Sequence, residues 1–217
     1  MKTDEQLKMD VLAELKWEPA LNESNIGVSV DNGVVTLTGH PATYAEKTAA
    51  ERAAQRVAGL KALAVEMTVK LAPGFERTDA SIAAAVEHAL AWNVAVPDGK
   101  VTPVVERGWV VLKGEVPWNY QRQAATRAVR ELIGVVGVTN LVAVKPAIAP
   151  EDVRADIRDA LRRQADRESK HLEISVDGSS VTLHGKVHSW AERAAAQGAA
   201  WSARGVSSVT NDLLVEL

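Results

Sequence analysis

Apolar residues recur at every fourth position near the start of the chain, at Leu7, Val11 and Leu15, with charged and polar residues filling the gaps. That is one stripe of an amphipathic α-helix, and Thr3 with Gln6 three residues later is a capping box marking its start. The period then changes. Ile26-Gly27-Val28-Ser29-Val30 alternates, Asp31-Asn32-Gly33 interrupts, and Val35 and Leu37 resume a period of two, which predicts a β-hairpin. An alanine-rich helix over 44–58 follows, closed by Gly59, and an alternating run through Met67 and Val69 completes the set.

The whole series returns twice. Gly39, Gly114 and Gly185 each follow a strand-like run, about 70–75 residues apart, and the same intervals carry Leu7, Val11 and Leu15 onto Ile82, Val86 and Leu90, then onto Val153, Ile157 and Leu161. Thr78 and Pro150 fall where the second and third copies of that helix begin. The hairpin recurs as Val105, Glu106-Arg107-Gly108, Val110 and Leu112, and as Val176, Asp177-Gly178, Val181 and Leu183. Alanine-rich helices over 119–133 and 190–204 are closed by Gly134 and Gly205, read like Gly59 as left-handed caps, and the last strands carry Val142 with Val144 and Leu213 with Val215. Pro103 matches Val28, which suits a first strand at a sheet edge where one ladder donor is dispensable.

The predicted fold is α+β: three tandem α-β-β-α-β modules over 1–72, 78–147 and 150–217, each a three-stranded mixed sheet with two helices packed on one face. A single module of about 70 residues has a marginal core, so contacts between neighbours would add stability. The proline-bearing linkers 73–77 and 145–150 suit a fixed, compact or gently curved array better than beads on a string.

Composition narrows the function classes. Hydrophobic residues are 47% and charged residues 24%, ordinary for a soluble globular chain. A net charge of −3, with both signs mixed along the chain, gives no field for nucleic acid. The absence of cysteine excludes disulfides, thiolate metal sites and cysteine nucleophiles. The charged first ten residues lack the apolar core of a signal peptide and no later run is a transmembrane segment, so a cytoplasmic location is expected, or a periplasmic one if a leader has been removed.

The motif apolar-Thr/Val-Leu-x-Gly-x-Val, then an alanine-rich helix, then Gly-Val-x-x-Val-x-Asn, resembles the BON (bacterial OsmY and nodulation) domain. It stands here as Leu112-Lys113-Gly114-Glu115-Val116 with Gly134-Val135-Val136-Gly137-Val138-Thr139-Asn140, and in the third copy as Gly205-Val206-Ser207-Ser208-Val209-Thr210-Asn211. The first copy departs from it, with Pro41 for the valine and Val65 for the asparagine. The resemblance implies a binding protein without catalysis, tied to osmotic or envelope stress. Its implied partners are a phospholipid surface or, from a cytoplasmic relative that couples a BON domain to a LysM domain, potassium.

The chemistry-bearing residues read as follows. Tyr44, Trp118 with Tyr120, and Trp190 gather where each second helix begins, and suit either packing between modules or an exposed ligand or lipid surface. Trp17 and Trp92 share a place at the end of the first helix, with Arg163 there in the third copy, and are expected in core or interface packing. His184 and His188 fall in an extended segment and read as exposed histidines, with no metal site expected. Glu46, Glu192, Asp152 and Asp156 beside Lys47, Arg193 and Arg154 read as solvated helix faces, not catalytic pairs. No nucleotide or nucleophile motif is present, so neither enzyme activity nor a cofactor is expected. Three partner classes follow: an anionic lipid or other envelope component; a monovalent cation, with Asp31, Asn32 and Asp177 as oxygen donors; or another protein, including self-association through sheet edges.

Overall fold

The computed structural model describes residues 2–146, 157, 159 and 172–215. In the first module α1 (Asp4–Trp17) starts at the capping box, the Gln6 amide donating to Thr3 Oγ1 at 3.2 Å and the Thr3 amide to Gln6 Oε1 at 3.0 Å. β1 (Ile26–Asp31) pairs antiparallel with β2 (Val34–Gly39), Val28 opposite Leu37. After α2 (Tyr44–Arg56), β3 (Ala62–Met67) returns parallel to β2, Val35 opposite Leu63. The strand order β1-β2-β3 puts the first strand at an edge.

The second module repeats this with α3 (Asp79–Ala91), β4 (Val101–Glu106), β5 (Trp109–Val116), α4 (Asn119–Arg130), β6 (Gly137–Asn140) and β7 (Ala143–Val144). Its last strand is in two pieces, both parallel to β5: the Leu141 amide still bonds the Leu112 carbonyl at 2.8 Å, while the Val142 amide turns to the Asn140 side-chain oxygen at 2.9 Å. Pro103 lies on the edge strand opposite Leu112. The third module contributes β8 (Leu172–Asp177), β9 (Ser180–Val187), α5 (Trp190–Ser202) and β10 (Ser208–Val215), with β9 central. Of its first helix, Ile157 is buried in the module core; Pro150, Asp152, Val153, Arg154, Asp156, Leu161 and Arg163 lie outside the described residues.

Each core forms where one helical stripe, the central strand and the alanines of the second helix meet. In the first module these are Leu7, Val11 and Leu15, then Val35 and Leu37, then Ala50, Ala53 and Ala54. The alanines bring helix and sheet together without bulk between them. Gly39 and Gly114 have φ of +126° and +137°, and a Cβ there would strike the carbonyls of Asn25 and Lys100, which is why the motif glycine stands at this place.

Two boundaries differ from the sequence reading. The second helices end at Arg56, Arg130 and Ser202, before Gly59, Gly134 and Gly205, because Val57 and Ala203 already turn to extended backbone and Glu131 leaves helical geometry. Those glycines, at φ of +104°, +90° and +83°, serve the turn into the last strand and are not caps. The last strands also start earlier than Met67, Val142 and Leu213, at Ala62, Gly137 and Ser208.

The modules touch one another in a cycle. Tyr44, at the start of α2, packs against the core of the second module. Trp190, the matching first residue of α5, packs against the core of the first. Asn119, the matching first residue of α4, faces α5 of the third. First onto second, second onto third and third onto first is a head-to-tail contact that closes on itself, as in a cyclic trimer of separate chains. Of the compact or gently curved array expected, the contacts give the compact form, a closed ring.

Candidate functional site

The three contacts in this ring are built alike and filled differently. In the first, α2 starts with Thr43-Tyr44-Ala45. Thr43 Oγ1 caps the helix by accepting the Glu46 amide at 3.1 Å, and Glu46 Oε2 accepts the Ala42 amide at 2.8 Å. Tyr44 is half-buried; desolvation pushes its phenol pKa up, against a hydrogen bond from the Val138 backbone that pulls it down. With the ring in place only about 80 Å³ stays open between Tyr44, Phe75 and the segment Arg130 to Val135.

The third-to-first contact uses Ser189-Trp190-Ala191. Ser189 Oγ accepts the Glu192 amide at 3.1 Å, Glu192 Oε2 accepts the His188 amide at 2.7 Å, and Trp190 Nε1–H donates to the Leu60 carbonyl at 2.9 Å. Arg193 lies over the Trp190 ring, 5.4 Å from its centroid.

The second-to-third contact has Trp118-Asn119-Tyr120 instead. An indole has no acceptor, so Trp118 leaves the start of α4 without a side-chain cap, and only the reciprocal bond survives, from the Trp118 amide to Gln121 Oε1 at 3.1 Å. Asn119 stands where Tyr44 and Trp190 stand. It is 4% exposed, and its Oδ1 is buried with no partner among the described residues. Beside its short side chain a groove of about 850 Å³ opens between α4 and α5, lined by Trp118, Asn119, Tyr120, Gln123, Gly198 and Trp201 among others. Tyr120 is 55% exposed at its rim. Arg122, whose burial holds its guanidinium below the usual range, lies over Trp201 at 4.7 Å.

The sequence reading grouped Tyr44, Trp118, Tyr120 and Trp190 as one aromatic set. The structure divides it: Tyr44 and Trp190 are plugs between modules, while Trp118 and Tyr120 flank the unplugged position. Asn119, Arg122, Gln123 and Trp201 escaped notice, although aligning the three triplets at the start of the second helix would have exposed Asn119.

Other expectations change or gain a cause. Trp17 and Trp92 are not packed; they are 82% and 80% exposed. Each stands two residues past the last buried stripe residue, about 200° round the helix and so on the solvent side. Trp92 meets the His88 ring, centroids 5.4 Å apart. Glu46 and Glu192 complete caps, as above. Lys47 Nζ donates to the Met67 carbonyl at 2.9 Å, and Arg193 donates to the carbonyls of Leu213 at 3.1 Å and Asn211 at 2.6 Å, tying helix to strand. The motif asparagines do the same: Asn140 Nδ2 donates to Arg122 O at 2.8 Å and Thr126 Oγ1 at 2.7 Å, and Asn211 Nδ2 to Arg193 O at 3.2 Å. Val65 has no amide for such a tie, and in the first module the Lys47 bond to Met67 joins helix to strand.

His184 is exposed, 3.6 Å from Asp212. Among the described residues no group of three or more histidines and carboxylates is placed to hold a metal ion, and no helix is long and apolar enough to cross a membrane. Asp31 is engaged by the Asn32 side chain at 3.0 Å.

Among solved structures, two that match come from a structural protein of the type III secretion system of Chlamydia trachomatis, CdsD. The first is 14% identical, covers 96% of this chain and 91% of its own, and has a TM-score of 0.26. The other, its C-terminal domain, is 12% identical with full coverage of both chains and a TM-score of 0.27. Overlays at those scores carry neither fold nor partner across. No curated protein matches. The model of the BON domain matches residues 3–70, 78–146 and 151–216, and with three copies spanning nearly all of its length the chain belongs to the BON domain family.

Proposed function

We propose that this is a non-enzymatic, stress-associated binding protein in which three BON modules close into a rigid scaffold and one inter-module seam is the recognition surface. A single observation carries the reading: of three equivalent seams, two are plugged by Tyr44 and Trp190, and the one headed by Asn119 is open. The departures around it point the same way. The second module gives up a helix cap at Trp118, leaves a buried oxygen unpaired at Asn119 and exposes an aromatic ring at Tyr120, where the other modules use the stable choices Thr or Ser, Tyr or Trp, and Ala. Local rules broken together at one place mark a functional site.

The test is complementation. In a host lacking the gene and challenged by osmotic upshift, the wild-type chain should restore growth, and Asn119→Trp, which copies Trp190 and plugs the seam, should not. Equal rescue by the plugged chain would remove the seam from the function.

A lipid surface is the second reading, favoured by Trp17 and Trp92 projecting into solvent at matching ends of α1 and α3. Flotation with anionic and neutral vesicles tests it: loss of co-flotation in a Trp17→Ala, Trp92→Ala double variant supports it, and no flotation of the wild type dismisses it.

A further inference from the structure

The geometry points to what the open seam takes: the indole or phenol ring of a tryptophan or tyrosine side chain, presented by a partner polypeptide. This deepens the reading of the seam as the recognition surface and rests on it. The chain itself supplies the template, because both equivalent seams are filled by a planar ring bearing one polar hydrogen, Tyr44 in one and Trp190 in the other. The third seam has Asn119 at the ring position and a groove beside it, with Trp201 of α5 on the far wall.

Its chemistry matches such a guest. Asn119 Oδ1 is buried at the edge of the groove with no donor among the described residues, and an unmet acceptor of that kind is costly until a rotation of the side chain brings it to an N–H or O–H. Trp118, Tyr120 and Trp201 offer faces and edges for a ring to stack against, and Arg122 backs the Trp201 ring at 4.7 Å. The guest is part of a polypeptide because the groove continues past the ring position along Ala195, Gly198 and Ala199 of α5, whose small side chains leave room for a backbone. About 850 Å³ is open here, against about 80 Å³ beside Tyr44, so one ring alone leaves most of the groove empty.

Calorimetric titration of the full chain decides it, with three probes: a capped peptide reproducing residues 186–194, which contains Ser189-Trp190-Ala191, its Trp→Ala counterpart, and free indole. The expected result is saturable binding of the tryptophan peptide at least tenfold tighter than indole, with none for the alanine peptide. Two variants should abolish it. Asn119→Trp fills the ring position, and Gly198→Leu fills the groove wall, where a Cβ meets nothing within 4 Å and the fold is not disturbed. Binding retained in both variants, or no binding of the tryptophan peptide to wild type, overturns the inference. Indole binding as tightly as the peptide overturns the polypeptide source in favour of a small aromatic molecule. Should Asn119→Trp fail to complement while no aromatic probe binds, the seam stands as the recognition surface and the aromatic guest falls. Should the peptide bind while the plugged chain complements fully, the guest stands and the functional reading falls.

Discussion

Trp190 of the third module donates its indole hydrogen to the carbonyl of Leu60 in the first, at 2.9 Å and 130 positions away in sequence. That bond joins the last module to the first and closes the ring of contacts. The covalent linkers connect only consecutive modules, so the third-to-first contact has to be held by side chains alone.

Removing the ring should therefore loosen the ring of modules as well as one core. Trp190→Ala is expected to cost about 2–4 kcal/mol, below the upper range for a fully buried tryptophan because the residue is half-exposed. Trp190→Phe keeps the area and loses the hydrogen, for about 1 kcal/mol. Denaturant melts give both values, and hydrogen exchange at the Lys61 amide and along α5 should rise in the alanine variant. Unchanged exchange in α5 would show that the contact does not hold the modules.

A repeated carboxylate ties each described first helix to its hairpin turn. Asp4 accepts the amides of Asn32 at 2.7 Å and Gly33 at 2.9 Å, and Asp79 accepts those of Arg107 and Gly108, both at 2.8 Å. The turn residues have positive φ, 51° at Asn32 and 51° at Arg107. Asparagine tolerates that region and arginine does not, so Asp79 holds the more strained turn. Asp79→Ala should cost about 1–2 kcal/mol for two charge-assisted bonds at a partly exposed site. Arg107→Gly should give back about 1 kcal/mol by relieving the backbone. Thermal unfolding of the single variants and of the pair measures both; a stabilising Asp79→Ala would refute the tie.

Much of this fold was legible because one physical rule governed each element at a time. Leu7, Val11 and Leu15 show a helical period and are also the buried residues of α1, and the same holds at Ile82, Val86 and Leu90. What joins elements was not legible. Asp4 sits in an ordinary acidic first turn, and nothing local shows that it reaches a hairpin 28 positions on. Trp17 and Trp92 carry the hydrophobicity of core residues, and only their angle from Leu15 and Leu90 puts them in solvent. For the site, matching copies located the aromatic cluster, while the informative signal was the mismatch, Trp118-Asn119-Tyr120 against Thr43-Tyr44-Ala45 and Ser189-Trp190-Ala191. Reading repeats for agreement hides the position where one copy departs.

Glu51 on α2 gives a pH dependence. Its burial raises the carboxyl pKa, and Lys47 and Arg52 only partly oppose the shift. The folded state therefore binds this proton more tightly than the unfolded chain does, and stability falls as pH rises from the unfolded value of about 4.3 through the raised folded value. Above that window the charged form is a standing penalty. Glu51→Gln should raise the melting temperature at pH 7, and the gain should vanish below about pH 4, where both chains are neutral at this position. A gain independent of pH would mean that packing, not charge, is the cause.

Trp118 separates function from stability most cleanly. It occupies a helix N-cap that its indole cannot serve, in a groove where its ring is half-buried, while Thr43 and Ser189 cap the matching helices. A residue kept for packing would be expected to stabilise the fold, so that truncating it lowers stability. A residue kept for binding at the expense of a cap behaves the other way. Trp118→Ser gives the Gln121 amide, which now bonds only the Trp118 carbonyl at 3.2 Å, a side-chain acceptor worth about 1 kcal/mol, and removes one wall of the groove. The expected outcome is a higher melting temperature together with at least a tenfold loss in affinity for the tryptophan peptide, read on the same sample by calorimetry. If stability and affinity instead fall together, Trp118 is a structural residue of the α4–α5 contact and the groove beside it is an incidental gap.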